Sequence, residues 1–150
     1  TSLNEIVDHV LRHQESMARA REISIEAALA QDLPKLPLDR RHIDRVVANL
    51  LSNAIKYSPA RSRIRVGTAC ENGRVLLAVR DQGPGIPADQ VPHLFERYRR
   101  LGSGRIDGSG LGLYIVKRIV EAHGGRVRVD CPADGGSLFE VSFAERSLAA

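Results

Sequence analysis

Residues 44–59, DRVVANLLSNAIKYSP, repeat their apolar side chains at helical spacing, and the rest of the chain is read from this stretch. At about 3.6 residues per turn, Val47, Leu50, Leu51 and Ala54 share one apolar face, and Asn49, Asn53, Lys56 and Tyr57 form an adjoining polar stripe. Asparagine is a mediocre helix former because its amide competes for backbone hydrogen bonds, so two of them four residues apart beside a core face invite a reason beyond propensity. A wet helix edge would account for them if the helix stood alone. The second half of the chain argues otherwise, because it supplies two glycine-rich turns of the kind that place backbone amides around an anion.

The totals set bounds. A chain of 150 residues with 43% apolar side chains is about one domain long and can bury a real core. No apolar run reaches the roughly 18 to 20 residues of a membrane span, and the N-terminus lacks a signal-peptide pattern, so a soluble, cytoplasmic domain is expected. The chain enters a helical pattern directly from Thr1, which reads as a piece of a longer protein. Cys70 and Cys131 are too few for a disulfide framework or a zinc site; both lie in apolar, strand-like runs and are expected to be buried or half-buried thiols in a reducing compartment. The net charge of +4 comes from 22 basic and 18 acidic residues that are interspersed, and aromatics make up only 4%, which speaks against a nucleic-acid partner.

Along the chain, Ser2 and Glu5 have the spacing of a capping box ahead of an amphipathic helix over residues 3–20. His9 and His13 on that helix have no neighbouring nucleophile or acid in a recognisable arrangement and are expected at the surface. Residues 22–29 alternate as a strand, and Asp39 is placed to cap the Asn-bearing helix, which Ser58 and Pro59 end. Two alternating runs then meet at Asn72-Gly73, a strong hairpin signal. In the first, Ile64, Val66, Thr68 and Cys70 share one face and Arg61, Arg63 and Arg65 the other. In the second, Val75, Leu77 and Val79 point one way, and the same parity carries Asp81 to the apolar side, where a carboxylate needs a partner. That partner could be the following turn, or a donor such as the amine of a base.

Gly83, Pro84 and Gly85 make a tight turn with Ile86 as an apolar lining, and a short helical segment is expected from about Ala88 through LFERYRR. LGSGRIDGSG has no apolar periodicity, and its end, Gly108, Gly110 and Gly112, leads into the helix LYIVKRIVEAHGG. Glycines ahead of a helix leave amide N–H groups free at the positive end of its dipole, which suits an anion. The runs RVRVDC and SLFEVSF, joined through residues 133–136, close the chain as a hairpin. Strands in antiparallel pairs with helices between them indicate an α+β fold: two layers, a mixed and mostly antiparallel sheet with helices on one face.

Taken in this order, these stretches resemble the ATP-binding domain of bacterial sensor histidine kinases: NLLSNAIKYSP is similar to that family's N box, DQGPGIP to its first glycine box, LFERYRR to its F box and GSGLGLYIVKRIVEAHGG to its second glycine box. The resemblance covers roughly residues 39–145 and implies a Bergerat fold, with an ATP-binding domain over 22–145, a preceding helix over 1–22 that follows an absent dimerisation domain, and a tail over 146–150. It implies that Asp81 accepts the exocyclic amine of adenine, that Gly83, Gly85 and Ile86 shape the base pocket, and that Tyr57 lies beside base and ribose. It further implies that Asn49 gives an oxygen to Mg²⁺, that Asn53 and Lys56 contact phosphates, and that Arg97 reaches the γ-phosphate. The amides around Gly110, Leu111 and Gly112 would wrap the phosphate chain, with Gly108 and Leu113 completing this nucleotide-binding run and LGSGRIDGSG as a lid. Asn49, Lys56 and Arg97 would thus serve transfer of the γ-phosphate to a histidine on the dimerisation domain and onward to a response regulator, from a homodimeric parent whose isolated ATP-binding domain is a monomer.

Two departures stand out. None of His9, His13, His42, His93 and His123 lies in the family's acceptor motif, so the acceptor is expected on another part of the parent. Arg45 stands one turn before Asn49, where related hydrolytic ATPases carry a water-activating Glu, and Arg cannot serve as that base. Two other readings compete: a regulatory or anti-sigma-type nucleotide-binding module of the same superfamily, and a dinucleotide-binding enzyme read from Gly108, Gly110 and Gly112. The second requires a strand immediately upstream, where the sequence has a loop.

Overall fold

Ser2 caps the first helix by accepting the Glu5 N–H at 3.4 Å, and α1 (Leu3–Ala20) buries Leu3, Ile6, Val7 and Val10 along one face. The computed structural model describes residues 1–96, 112–132 and 135–144. Asp39 accepts from the N–H groups of Arg41 and His42, satisfying two orphan donors at the start of α2 (Arg40–Tyr57). Strand β1 (Ser24–Ala28) lies between these helices in sequence. β2 (Arg63–Glu71) and β3 (Arg74–Asp81) flank Asn72 and Gly73, whose φ values of 52° and 74° are those of a two-residue type I′ turn. α3 (Gly112–Ala122), β4 (Arg126–Asp130) and β5 (Ser137–Ala144) follow.

The sheet order is β1-β2-β3-β5-β4, with β1 parallel to β2 and every other pair antiparallel. Alternation sorts the strands into two faces. Ile64, Val66, Val75, Leu77, Val79, Phe139, Val141 and Phe143 are buried under the helices, whereas Arg63 and Arg65 are exposed on the other side. α2 is the central helix, packed between α1 and α3 and over β3, with Val47, Leu50, Leu51 and Ala54 in the core. This is the expected two-layer α+β architecture, a mixed sheet with helices on one face. Among the described residues no helix is long and apolar enough to cross a membrane.

Two expectations need correction. Cys70 and Cys131 are both exposed. Cys70 is the penultimate residue of β2 and Cys131 the first beyond β4, so both stand where a strand ends and parity no longer carries burial. The segment after Ala88 forms turns and a single 3-10 turn at Val91–His93 rather than a helix; Pro87 and Pro92 lack the N–H donors that longer helical pairing needs, and residues 97–100 lie outside the described ones.

Candidate functional site

The end of β3 and the polar stripe of α2 converge. Asp81 completes the inward parity of Val75, Leu77 and Val79 and is buried, with 5% of its surface exposed. Its Oδ1 accepts the N–H groups of Gly83 at 2.9 Å and Ser137 at 3.2 Å. Burial pushes the Asp81 carboxyl above the usual carboxylate range, and the two N–H bonds pull it back. With Oδ1 held by backbone, a carboxylate keeps Oδ2 to accept from a partner.

The glycines around Asp81 are places of close approach. A Cβ on Gly83 would lie 2.6 Å from the Tyr57 carbonyl oxygen and 3.1 Å from Asp81 Oδ1, so the turn after β3 is pressed against the end of α2. Gly85 has φ +79° and a Cβ there would meet the Gly136 carbonyl oxygen at 3.3 Å. Gly136, with φ +80°, has no room for a side chain, because a Cβ would overlap the Asp81 carbonyl oxygen. Gly136, read from the sequence as part of a connecting turn, and Ser137, read as the start of a strand, are the site residues whose role sequence reasoning did not show. The paired glycines were a signal, but only the pairing of β5 with β3 brings them to Asp81.

Asn49, Asn53, Lys56 and Tyr57 are all half-buried, as a stripe at the edge of a core face should be. Burial raises the Tyr57 phenol above its usual pKa. Lys56, Tyr57, Gln82 and Gly83 line one open cavity, while Ile86 is buried nearby in sequence and accepts from the Cys131 thiol at 3.6 Å. At the other end of the stripe, Asn49 Nδ2 donates to the Gly112 carbonyl at 3.3 Å, tying α2 to the first residue of α3. Leu113 follows, half-buried. Asn49 and Tyr57 are eight residues apart on α2, a span of about 12 Å. Thus the turn beside Asp81 and the start of α3 flank one polar stripe. Arg97, Gly108, Gly110 and Leu111 lie outside the described residues.

The donor set bears on a metal. An Asn49 amide that donates through its nitrogen retains its oxygen as a ligand, and among the described residues no three His, Cys, Asp or Glu side chains converge. A single amide oxygen suits Mg²⁺, which commonly takes few protein ligands and fills its shell with water and substrate phosphates. It does not suit zinc or calcium cages.

Residues 38–147 match the family described as histidine kinase-, DNA gyrase B-, and HSP90-like ATPase. The chain is 37% identical over 138 residues to the alginate biosynthesis sensor protein KinB of Pseudomonas aeruginosa, covering 90% of this chain and 23% of KinB. Among solved structures it is similar to the mycobacterial sensor histidine kinase MprB, with a TM-score of 0.85, 35% identity and 96% of each chain covered. It is also similar to full-length ShkA in complex with AMPPNP, with a TM-score of 0.83, 28% identity, and 97% of this chain against 30% of that one covered. The chain spans less than half the length of the curated relatives it matches.

Proposed function

From the premise that this chain belongs to the histidine kinase-, DNA gyrase B-, and HSP90-like ATPase family and is an ATP-binding catalytic domain of the sensor-kinase kind, we propose that it holds Mg-ATP along the α2 stripe and donates the γ-phosphate to a histidine on a separate dimerisation domain. The observation that carries this reading is the convergence on α2, with the Asp81 turn against Tyr57 at one end and Gly112 held by Asn49 at the other. The span of about 12 Å between them is the scale of a nucleoside carrying a phosphate chain.

In this reading Asp81 Oδ2 accepts the adenine amine while Gly83 and Ser137 hold Oδ1, and the bare backbone at Gly83 and Gly85 with Ile86 admits the flat base. Tyr57 flanks base and ribose. Asn53 and Lys56 meet phosphates, Asn49 offers its amide oxygen to Mg²⁺, and Gly108, Gly110, Leu111, Gly112 and Leu113 supply amides and packing around the phosphate chain, with Arg97 at the γ-phosphate. Bound Mg²⁺ would neutralise phosphate charge and fix the geometry of the chain for transfer. Phosphoryl transfer depends on positioning and charge stabilisation, and Arg45 in place of a water-activating acid leaves ATP intact until a nucleophile is presented. The domain spans residues 22–145 behind α1, and it works on the cytoplasmic side of a homodimeric parent that passes the phosphoryl group to a response regulator.

Calorimetric titration with Mg-ATP tests binding, and absence of heat or of any ligand-induced shift in Tm rejects the reading. Transfer is tested by mixing the domain and γ-labelled ATP with the parent's dimerisation segment. Acid-labile, base-stable label on that segment is the expected result, and label that never leaves ATP refutes the kinase assignment.

A further inference from the structure

α1 carries His9, His13 and Met17 four residues apart, and residues at that spacing on a helix are neighbours along one line of its surface. Both imidazoles are exposed, and Met17, 43% exposed, is the large apolar side chain left to solvent among the described residues. A single exposed apolar residue needs no account by itself. Its place in line with two imidazoles is what matters. The row lies on the side of α1 next to α2, where His9 meets Asp44. Asp44 and Asn49 are five residues apart on α2, about 140° around the helix, so this flank is not the polar stripe that Asn49 belongs to.

The two rings are stacked, with centroids 4.2 Å apart and planes 29° from parallel. His13 Nδ1 lies 3.0 Å from the His9 carbonyl oxygen, which can only accept, so Nδ1 carries the proton and Nε2 keeps its lone pair. Metal-ligating imidazoles are commonly held in this way, with the outer nitrogen donating to a carbonyl. His9 Nε2 stands 3.8 Å from Asp44 Oδ2, beyond hydrogen-bond range, so the nitrogen is not spent on that carboxylate, whose negative charge favours a cation beside it. Two nitrogens on one ion, each at roughly 2.0 to 2.1 Å, can stand up to about twice that distance apart. The rings are already on that scale. Among the described residues no third His, Cys, Asp or Glu completes a set with them, so the donors are two imidazoles and a thioether. Imidazole suits Cu(II), which stands highest in the divalent order, and a thioether is a soft ligand for Cu(I), whereas Mg²⁺ prefers oxygen. We propose that α1 carries a copper site on His9 and His13, flanked by Met17 and separate from the nucleotide stripe.

The test uses the whole 150-residue chain with the exposed Cys70 and Cys131 capped by N-ethylmaleimide, so that thiols neither bind nor reduce the metal. Copper(II) sulfate is titrated against glycine as competitor while electron paramagnetic resonance and amide NMR spectra are recorded. One bound equivalent, nitrogen splitting from two imidazoles and broadening centred on residues 9–17 are expected. H9A and H13A should each lower Cu(II) affinity at least tenfold and reduce the splitting to one nitrogen, because the second ligand no longer binds within the same molecule, while Mg-ATP affinity stays within twofold. M17L should leave Cu(II) affinity within twofold and lower Cu(I) affinity, measured against bicinchoninate under ascorbate, at least threefold. Cu(II) affinity within twofold of the unaltered chain in either His variant, or broadening centred on Thr1, His42, His93 or His123, overturns the proposal, and unchanged Cu(I) affinity in M17L removes Met17 from it. Both imidazoles are exposed, so circular dichroism of the variants without copper should be unchanged; should one fail to fold, the splitting and broadening of the unaltered chain decide the same question. Copper binding without ATP binding would count against the nucleotide reading alone.

Discussion

On the proposed reading of Asp81 as the acceptor of the adenine amine, replacing it by Asn should alter base recognition and little else. The amide is nearly isosteric, and its oxygen can keep both backbone donors, the Gly83 N–H at 2.9 Å and the Ser137 N–H at 3.2 Å. The atom that replaces Oδ2 then becomes a donor facing the donor amine of adenine. A charge-assisted hydrogen bond is lost and two donors are left opposed, which costs about 2 to 3 kcal/mol. At about 1.4 kcal/mol per decade, the dissociation constant of Mg-ATP rises roughly 30- to 150-fold. Folding should hold or improve, because the carboxyl it replaces is penalised by burial. Calorimetry with ATP measures the loss, and inosine triphosphate supplies the control, since its carbonyl at the amine position accepts from the new NH₂ and its affinity should rise in the variant. An ATP affinity within about twofold of the unaltered chain, in a variant with an unchanged Tm, would refute the assignment of Asp81 to the base.

Four further outcomes follow from the same geometry. Because the Asp81 carboxyl is raised above its usual value of 3.8, the native chain holds its proton over an interval where the unfolded chain has released it. Stability therefore declines as pH rises through that interval and then levels, and urea midpoints across pH should lose this component in D81N. Gly136→Ala meets both a φ of +80° and overlap with the Asp81 carbonyl, so a loss of about 2 to 4 kcal/mol is expected, on the order of 5 to 15 °C in Tm by calorimetry. Asn49→Ala should weaken Mg-ATP more than metal-free ATP, and equal losses in parallel titrations would count against a metal role. Asp39→Ala removes the acceptor for the Arg41 and His42 N–H groups, and denaturant unfolding should report a lower midpoint with an unchanged slope.

What the sequence disclosed was set by local pattern. α2 could be read end to end because Asp39, the apolar spacing and Ser58-Pro59 are all neighbours on the chain, and the inward aim of Asp81 follows from counting along β3. The Asn72-Gly73 turn was equally local. The role of Gly136 was hidden because it depends on β5 lying beside β3, with Ser137 opposite Asp81, 56 residues apart. The bond from Asn49 to Gly112 spans 63 residues and was invisible for the same reason. The arginine row on the open face of the sheet was half visible: alternation put Arg63 and Arg65 together, and only strand register sets Arg80 across from Arg65. The cysteines were misjudged because an apolar run does not say where the overlying layer stops. Short proline-punctuated segments such as 87–93 likewise do not reveal that one turn is all they form.

Taken with the base pocket proposed at Ile86, the two exposed thiols would give the molecule a built-in ratiometric footprint. Cys131 touches the Ile86 carbonyl oxygen, whereas Cys70 sits beside the hairpin turn at the far end of β3 from Asp81, about 20 to 25 Å along the strand. Alkylation of the first would then report occupancy of the base pocket and alkylation of the second would calibrate it, so mass spectrometry of the unaltered chain could follow ligand residence without an introduced label.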